Sequence, residues 1–308
     1  MRIVTEFVLL IEGLETNIAG VPTTTGSLAD SLPTIIDSAR IVREFEGVMV
    51  RLSDRTNLAD GTGLTWDEIS LAQLTAQSVT ETTELNNPQL LSDTLFSVTP
   101  VMVGVQTIIT DRTMRRISKN VASKIGVLAQ NAIQRRKDED GLTFLDGATT
   151  SLAGAGVTLT SGHIRAAAAR IRSNATEPAM GPIYAVLHGF QFKVLGDELL
   201  SGVGTYPIPA GITADIFRNG WAGSIAGVEL YEDGNITVDA SDDAKGGVFA
   251  REAAVLVDGF GPKTETQRLI RVGGGANELI IYDEYAWGER SAGNWLYEIY
   301  SDATTPTS

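Results

Sequence analysis

The chain has 308 residues, of which 43% are hydrophobic and 20% are charged, with a formal net charge of −14 and no cysteine. These values indicate a folded protein of one large or two moderate domains, and they exclude disulfides and thiolate metal sites. The excess of acidic residues argues against a protein that reads DNA sequence, and no apolar window is long enough to cross a membrane.

The first predicted elements are an N-terminal arm and a short helix. Residues 1–26 carry short apolar runs and end in a turn-rich sequence. A helix is predicted to begin near Asp30, where capping side chains precede Pro33. Beyond it, the side chains alternate over residues 48–52, which predicts a strand.

Residues 57–93 form a long acidic stretch without a clear period over most of its length. It contains no Lys or Arg and six acidic residues, namely Asp60, Asp67, Glu68, Glu81, Glu84 and Asp93. Residues 64–69 and 95–109 predict strands, with an edge or an interruption at Pro100. Together they predict a long two-stranded excursion, and loops of this length usually have a function.

The strongest helical pattern runs from Asp111 to about Lys137, with Thr110 or Asp111 as the cap and Gly141 as the stop. Its apolar face is predicted at Met114, Ile117, Val121, Ile125, Leu128 and Ala132. Residues 111–140 carry four acids and eight cations, a net charge of +4, and the cations are Arg112, Arg115, Arg116, Lys119, Lys124, Arg135, Arg136 and Lys137. Two interpretations stay open for these cations: a solvated helix face, or a docking surface for an acidic partner such as residues 57–93.

Residues 142–260 predict a compact α/β unit. Helices are predicted at 160–173 and 189–200, and strands at 183–188, 228–231 and 248–257. Residues 263–281 are strand-like around a glycine turn at 273–275, and residues 294–300 predict a last strand.

Patterns for catalysis, cofactor binding or metal binding are weak. His163 and His188, the two histidines of the sequence, fit structural or solvated positions better than catalytic ones. A nucleophile elbow and a P-loop are absent, and Gly202-Val203-Gly204 lacks the third glycine of a dinucleotide loop. Residues 138–141 match part of a calcium loop without its terminal Glu, and the acids at 239–243 fit a solvated turn better than a cation site. We therefore expect neither an enzyme nor a cofactor or metal site.

The order of the predicted parts resembles that of the major capsid (coat) proteins of tailed bacteriophages, which have the Hong Kong 97 fold. Three local sequences are similar to parts of that family: residues 184–188 (YAVLH) before a helix, residues 225–231 (IAGVELY), and residues 268–300 with YAWG at 285–288. The resemblance covers nearly the whole chain. It implies an α+β fold with an N-arm, an extended β-hairpin loop, a long spine helix, and peripheral and axial domains.

The resemblance also implies how the chain is divided. Residues 1–54 would be the N-terminal arm and the start of the peripheral domain, and residues 55–95 the extended loop. Residues 96–145 would be the peripheral domain with the spine helix, and residues 146–260 the axial domain. Residues 261–308 would return to the peripheral domain and form the C-terminus.

The implied function is structural. Copies would assemble into hexamers and pentamers of an icosahedral head that encloses double-stranded DNA without sequence-specific binding. The implied location is the virion shell, assembled in the cytoplasm of the host bacterium. We expect a portal, and a separate scaffolding protein because the chain begins at Met1 with a short arm that we expect to stay uncleaved.

Two further expectations concern contacts between copies. Some family members weld the shell with an isopeptide bond from a lysine in the extended loop; this loop has no lysine, so non-covalent contacts or a cement (decoration) protein would stabilise the shell. The hypothetical inter-subunit interface brings loop acids to spine-helix cations, namely Asp67, Glu68, Glu81, Glu84 and Asp93 with Arg112, Arg115, Arg116 and Lys119.

Three alternatives remain open from the sequence. An encapsulin-type nanocompartment shell would share the fold but enclose cargo enzymes. An α/β hydrolase-like enzyme is disfavoured by the shortage of histidine, the absence of cysteine and the lack of a nucleophile motif. A tail or baseplate protein would form rings or tubes rather than shells.

Overall fold

The computed structural model describes residues 47–82, 88–116, 121–201, 223–272, 274–291 and 293–307. The helices in these ranges are α1 (Met49–Leu52), α2 (Asp111–Arg116), α3 (Val121–Asp146), α4 (Ser161–Arg172) and α5 (Gly189–Ser201). The strands are β1 (Asp54–Asn57), β2 (Trp66–Leu71), β3 (Asp93–Val98), β4 (Val101–Thr110), β5 (Ser151–Ala153), β6 (Ile183–Leu187), β7 (Ser224–Ile225), β8 (Val228–Glu232), β9 (Asp243–Ala250), β10 (Ala254–Leu269), β11 (Ala276–Glu289) and β12 (Leu296–Asp302). The predicted N-terminal arm and the helix near Pro33 lie outside the described residues.

The described strands form three sheets. A six-stranded sheet has the order β5-β12-β9-β6-β8-β7, a four-stranded sheet has the order β1-β10-β11-β4, and β2 pairs with β3. The larger sheet is mixed, because β6 runs parallel to β8 and antiparallel to β9.

The chain divides into two compact units, and the divisions among the described residues fall inside β4, α3, β10 and β11. The larger unit includes the described parts of 45–101, 134–260 and 284–308, and the smaller includes those of 102–133 and 261–283. The predicted division into arm, loop, peripheral and axial domains remains a prediction.

The core of the larger unit lies on the six-stranded sheet. Helix α4 buries Ile164, Ala167, Ala168 and Ile171, which are the i, i+3, i+4 and i+7 positions of one helical face. They belong to one cluster with buried residues of β6, β9 and β12. The sheet and this helix therefore share one apolar core.

Residues 49–52 form helix α1, so the predicted strand is wrong. The amide of Met49 donates to Oδ1 of Asp138 at 3.0 Å, and the amide of Val48 donates to Oδ2 of Asp233 at 3.2 Å. Carboxylates far along the chain thus accept the free N–H groups of the first helical turn. The alternating side chains of residues 48–52 give no indication of these distant partners.

Helix α3 continues through Gly141 to Asp146, so the predicted stop is wrong. A Cβ on Gly141 would lie 2.8 Å from Cζ2 of Trp287 and 3.0 Å from Cβ of Met49. The glycine therefore permits close packing within the helix rather than ending it.

The predicted apolar face of α3 is also partly wrong. Leu128 is 40% exposed, and the buried positions instead include Ala129, Ile133, Lys137, Asp138, Leu142 and Leu145. The buried Lys and Asp have partners on other elements, so tertiary contacts set this face. Arg135 to Lys137 lie in the middle of the helix and do not mark its C-terminus.

Two long predicted strands are each divided. The chain leaves the strand conformation at Thr99 and Pro100 between β3 and β4, which is the interruption that Pro100 predicted. Predicted strand 248–257 is split by a turn at 251–253, after which β10 begins.

In the smaller unit, side chains fix the start of helix α2. Oγ1 of Thr110 accepts the amide N–H of Thr113 at 3.3 Å, which confirms Thr110 as a cap. Arg268 binds both carboxylate oxygens of Asp111 and lowers the pKa of that carboxyl. The apolar cluster of this unit contains Ala129, Ile133 and Ile281.

Candidate inter-subunit surface

Strands β2 and β3 form an antiparallel hairpin in the larger unit, as predicted. Its register pairs Trp66 with Val98 at one end and Leu71 with Asp93 at the other. Because side chains alternate between faces, the hairpin has an inner face, defined here by Trp66, Glu68, Phe96 and Val98, and an outer face, defined by Asp67, Ile69, Leu71, Leu95 and Ser97.

The inner face packs on β10 and β11. Val98 is buried in a cluster with Val255 and Val257. A Cβ on Gly288 would lie 2.4 Å from Cγ2 of Val98 and 2.7 Å from Cζ of Phe96. Only glycine therefore lets β3 lie this close to β11.

Arg290 binds the base of the hairpin to the rest of the larger unit. Its Nε donates to Oε2 of Glu68 at 2.6 Å, and its Nη1 donates to Oδ2 of Asp54 at 2.7 Å. Nη1 also donates to the carbonyl oxygen of Glu252 at 3.3 Å, and the guanidinium lies 5.8 Å from the centroid of the Trp66 ring. Burial lowers the pKa of Arg290, but its hydrogen bonds to Asp54 and Glu68 outweigh burial, and the pKa is raised.

Arg290 is a residue of this surface that the sequence did not predict. Its two carboxylate partners lie 222 and 236 positions away in the chain. The local pattern around Arg290 is that of an ordinary strand end, so no short-range signal marks it.

The outer face and the tip of the hairpin are exposed. Every described residue from Ile69 to Leu95 is exposed. The exposed large apolar residues of this stretch are Ile69, Leu71, Leu74, Val79, Leu90, Leu91 and Leu95. Such a concentration of exposed apolar side chains is typical of an interaction surface.

The structure describes four of the five predicted interface acids. Asp67 and Asp93 are exposed on the strands and Glu81 is exposed in the tip, whereas Glu84 lies outside the described residues. Glu68 is the exception, because it is bound by Arg290 of its own chain. Its predicted role at the interface therefore competes with an internal ion pair.

Three of the four predicted interface cations are described, and all three lie on α2 in the smaller unit. Arg112, Arg115 and Arg116 are exposed there, and Lys119 lies outside the described residues. The contact between loop acids and helix cations of different copies remains a prediction.

Lys137 does not belong to an exposed cationic surface, contrary to its place in the predicted set. It is 4% exposed, and its Nζ lies 3.0 Å from Oδ1 of Asp258. The ammonium also lies 4.6 Å from the centroid of the Tyr285 ring. Since a buried charge needs a partner, Asp258 compensates the charge of Lys137 inside the larger unit.

A buried pair of carboxyl groups holds the start of helix α1. Asp138 and Asp233 are 1% and 0% exposed. Asn235 donates its backbone N–H to Asp233 at 2.9 Å and its side-chain amide to Asp138 at 2.9 Å. Burial, together with the charge of Asp138, raises the pKa of Asp233 to about 7. Residues 138–141, whose sequence matches part of a calcium loop, lie within helix α3.

The histidines have the structural positions that the sequence predicted. Nδ1 of His163 accepts the backbone N–H of Thr160 in a capping box at the start of α4. Nδ1 of His188 accepts the amide of Phe190 at 3.2 Å, and burial lowers the pKa of this imidazole.

A cleft of about 620 Å³ in the larger unit contains charged side chains that already pair with one another. Arg136 binds Asp140, and Lys245 binds Asp146. Within the described ranges, no group of three or more His, Asp or Glu residues is arranged to hold a metal ion, and no helix is long and apolar enough to span a bilayer. The charges that line this cleft are thus compensated by one another within the larger unit.

Comparisons with known proteins identify the fold. No protein-family model and no curated protein match the sequence. The capsid asymmetric unit of cyanophage Pam1 matches with a TM-score of 0.70 at 13% identity, over 94% of this chain and 100% of that chain. The acid-stable capsid of Helicobacter pylori bacteriophage KHP30 matches with a TM-score of 0.69 at 11% identity, over 93% and 100% of the chains. A structure from Mycobacterium phage Che8 matches with a TM-score of 0.67 at 15% identity, over 92% and 97%.

These matches extend over nearly the full length of each chain. The chain therefore has the fold of phage capsid structures, and the predicted α+β fold of the Hong Kong 97 type is confirmed.

Proposed function

We propose that this chain is a structural major capsid protein whose copies tile a closed icosahedral shell. The full-length likeness to capsid structures supports this function. Shells need many modest contacts repeated by symmetry rather than one catalytic centre, which suits the charge pairing of the described residues.

The exposed hairpin is the observation that carries the proposal. Residues 69–82 and 88–95 are all exposed and include seven large apolar side chains. A two-stranded ribbon without a core of its own is marginal in water. A second copy that covers the outer face and the tip would bury these side chains and stabilise both partners.

The finer features of the function follow from the same proposal. Copies form hexamers and pentamers, with a scaffolding protein, a portal and, where non-covalent contacts do not suffice, a cement protein. The shell assembles in the host cytoplasm and encloses double-stranded DNA. Because the chain has a net charge of −14, it would enclose the DNA without binding it tightly. The arm, the extended loop, and the peripheral and axial domains have the bounds predicted from the sequence.

Electron microscopy of the expressed full-length chain tests this function. We expect shells or capsomer rings by negative staining, with the chain alone or with its neighbouring genes co-expressed. A dispersed monomer under all these conditions, above all with a small-molecule turnover, would contradict the proposal.

The same particles distinguish a capsid from an encapsulin-type compartment. Particles from infected cells that contain nuclease-protected double-stranded DNA support a capsid. Particles that contain a co-purifying enzyme and no DNA would instead support the compartment.

A further inference from the structure

We propose that Arg290 is a positioning residue that, with Gly288, sets the direction of the β2–β3 hairpin in the free subunit. We call Arg290, Glu68, Asp54 and Gly288 the hairpin joint. The positioning itself stands on the geometry of one subunit. Its consequence for assembly rests on the proposed function.

The backbone alone does not hold the hairpin in one direction. In the described part of the chain, β2 and β3 pair only with each other and belong to neither of the larger sheets. The hydrogen bonds between β2 and β3 therefore fix the shape of the hairpin. The angle between the hairpin and the rest of the larger unit depends on side-chain contacts. The hairpin joint lies at the base of the ribbon, where a small rotation moves the tip furthest.

The ionic half of the joint connects the hairpin to the body of the unit. Glu68 is on β2 of the hairpin, whereas Asp54 is on β1, which pairs with β10 over four residues. One guanidinium binds both carboxylates at 2.6 Å and 2.7 Å. Because the guanidinium is planar and its N–H groups have fixed directions, it fixes an angle as well as a distance.

The steric half of the joint sets how closely the hairpin lies on β11. Gly288 faces Val98 and Phe96. A Cβ at this position would lie 2.4 Å from Cγ2 of Val98 and 2.7 Å from Cζ of Phe96, which is too close for either contact. The indole of Trp66 is near both halves of the joint, with its centroid 6.1 Å from that of the Phe96 ring and 5.8 Å from the guanidinium of Arg290. Packing on one side and ion pairing on the other leave the base little freedom to rotate.

Contacts nearer the tip are weaker constraints. The side-chain amide of Gln73 donates to the carbonyl oxygen of Thr176, and both groups are exposed. Water competes for such a hydrogen bond. The joint therefore determines where the exposed outer face lies before a second copy arrives.

Spin labels on the free subunit test the joint directly. The chain has no cysteine, so Ser70→Cys on the hairpin and Ala166→Cys on α4, both exposed, place two unique labels. Double electron–electron resonance should give one narrow distance in the parent chain. Arg290→Met should give a broad distance distribution. Arg290→Lys keeps the charge but lacks the planar guanidinium, so its distribution should be intermediate in width.

Two further variants complete the design. Arg136→Met, which removes the exposed ion pair with Asp140 in the same unit, should leave the distance unchanged. Gly288→Ala should shift the mean distance, because a Cβ pushes β3 away from β11. If Arg290→Met does not fold by circular dichroism, Glu68→Gln serves instead, since that side chain is 40% exposed and lies outside the core.

The distance distribution decides the inference independently of assembly. An unchanged narrow distance in folded Arg290→Met, or in Glu68→Gln where Arg290→Met does not fold, would overturn it. A broadened distance with fewer shells supports the inference together with the proposed function. A broadened distance in a chain that never forms shells, with or without Arg290, supports the joint and contradicts the capsid function.

Discussion

At the scale of single residues, buried charges have partners that are distant in sequence. Lys137 binds Asp258, and the carboxyl groups of Asp138 and Asp233 share the first amides of α1. Such groups cost free energy when a partner is removed, because the remaining charge stays buried. The carboxyl pair differs from the ion pair, because its two members repel each other when both are ionised.

The carboxyl pair predicts a pH dependence of stability. The pKa of Asp233 is about 7 in the folded chain and 3.8 for the ordinary group. The folded state therefore binds more protons than the unfolded state between these values. Stability should fall as pH rises from about 4 to about 7, by up to about 1.4 kcal/mol per pH unit, and level off above.

Asp233→Asn isolates this contribution. An amide has no proton to release in this range, so the variant should lose the fall in stability between pH 4 and 7. Because both oxygens of Asp233 accept backbone N–H groups and the amide nitrogen of Asn cannot, the variant should also be less stable than the parent at pH 4. Urea unfolding of the free subunit at a series of pH values measures this. Asp60→Asn, an exposed loop variant, is the matched control and should follow the parent chain. Parallel curves for Asp233→Asn and the parent would contradict the prediction.

At the scale of elements, two glycines of helix α3 predict opposite effects of the same substitution. Gly141 is packed against Trp287 and Met49, whereas a Cβ on Gly126 would meet no atom within 4 Å. Gly126→Ala should stabilise the free subunit by about 0.5–1 kcal/mol, because alanine has the higher helix propensity. Gly141→Ala should destabilise it by about 1–3 kcal/mol, because overpacking outweighs the same gain.

Chemical denaturation of the two variants compares them directly. Each is the control for the other, since both change one glycine of one helix to alanine. Two stabilised variants would mean that the packing at Gly141 relaxes at little cost. Two destabilised variants would mean that helix propensity does not decide the effect at Gly126.

At the scale of the whole molecule, the distribution of charge bears on assembly. Residues 57–93 carry six acids and no Lys or Arg within a chain of net charge −14. Glu81 is exposed in the hairpin tip, and Arg112, Arg115 and Arg116 are exposed on α2. Contacts between opposite charges of different copies would choose the register of docking more than they add affinity.

Charge reversal of Glu81 and Glu84 to Lys tests this docking. The variant should remain a folded subunit and should not form shells, as sizing chromatography and negative-stain microscopy would measure. Restoration of shells by Arg115→Glu and Arg116→Glu in the same chain would show that these cations are the partners. The control is the double variant Asp197→Lys with Glu229→Lys, which changes the net charge by the same amount outside the hairpin. This control should still form shells. Normal shells from the Glu81 and Glu84 variant would contradict the docking model.

Elements with strong local signals were predictable from the sequence. The β-branched residues of 95–109 predicted β3 and β4, Pro100 predicted the interruption between them, and Thr110 predicted the start of α2. The order of these elements was enough to predict the capsid fold, because that order is a property of the chain and needs no contact distances.

What packs against each element was not predictable from local sequence, because it depends on segments that are distant in the chain. Gly141 matches a helix stop in sequence, but Trp287 packs against it and the helix continues. Residues 48–52 alternate like a strand, but Asp138 and Asp233 bind their amides and a helix forms. Arg290 carries no local signal, since its role depends on carboxylates more than 200 positions away. The spacing of apolar residues in the sequence predicts which side chains lie on the same face of an element. Which segment packs on that face depends on how distant parts of the chain fold together.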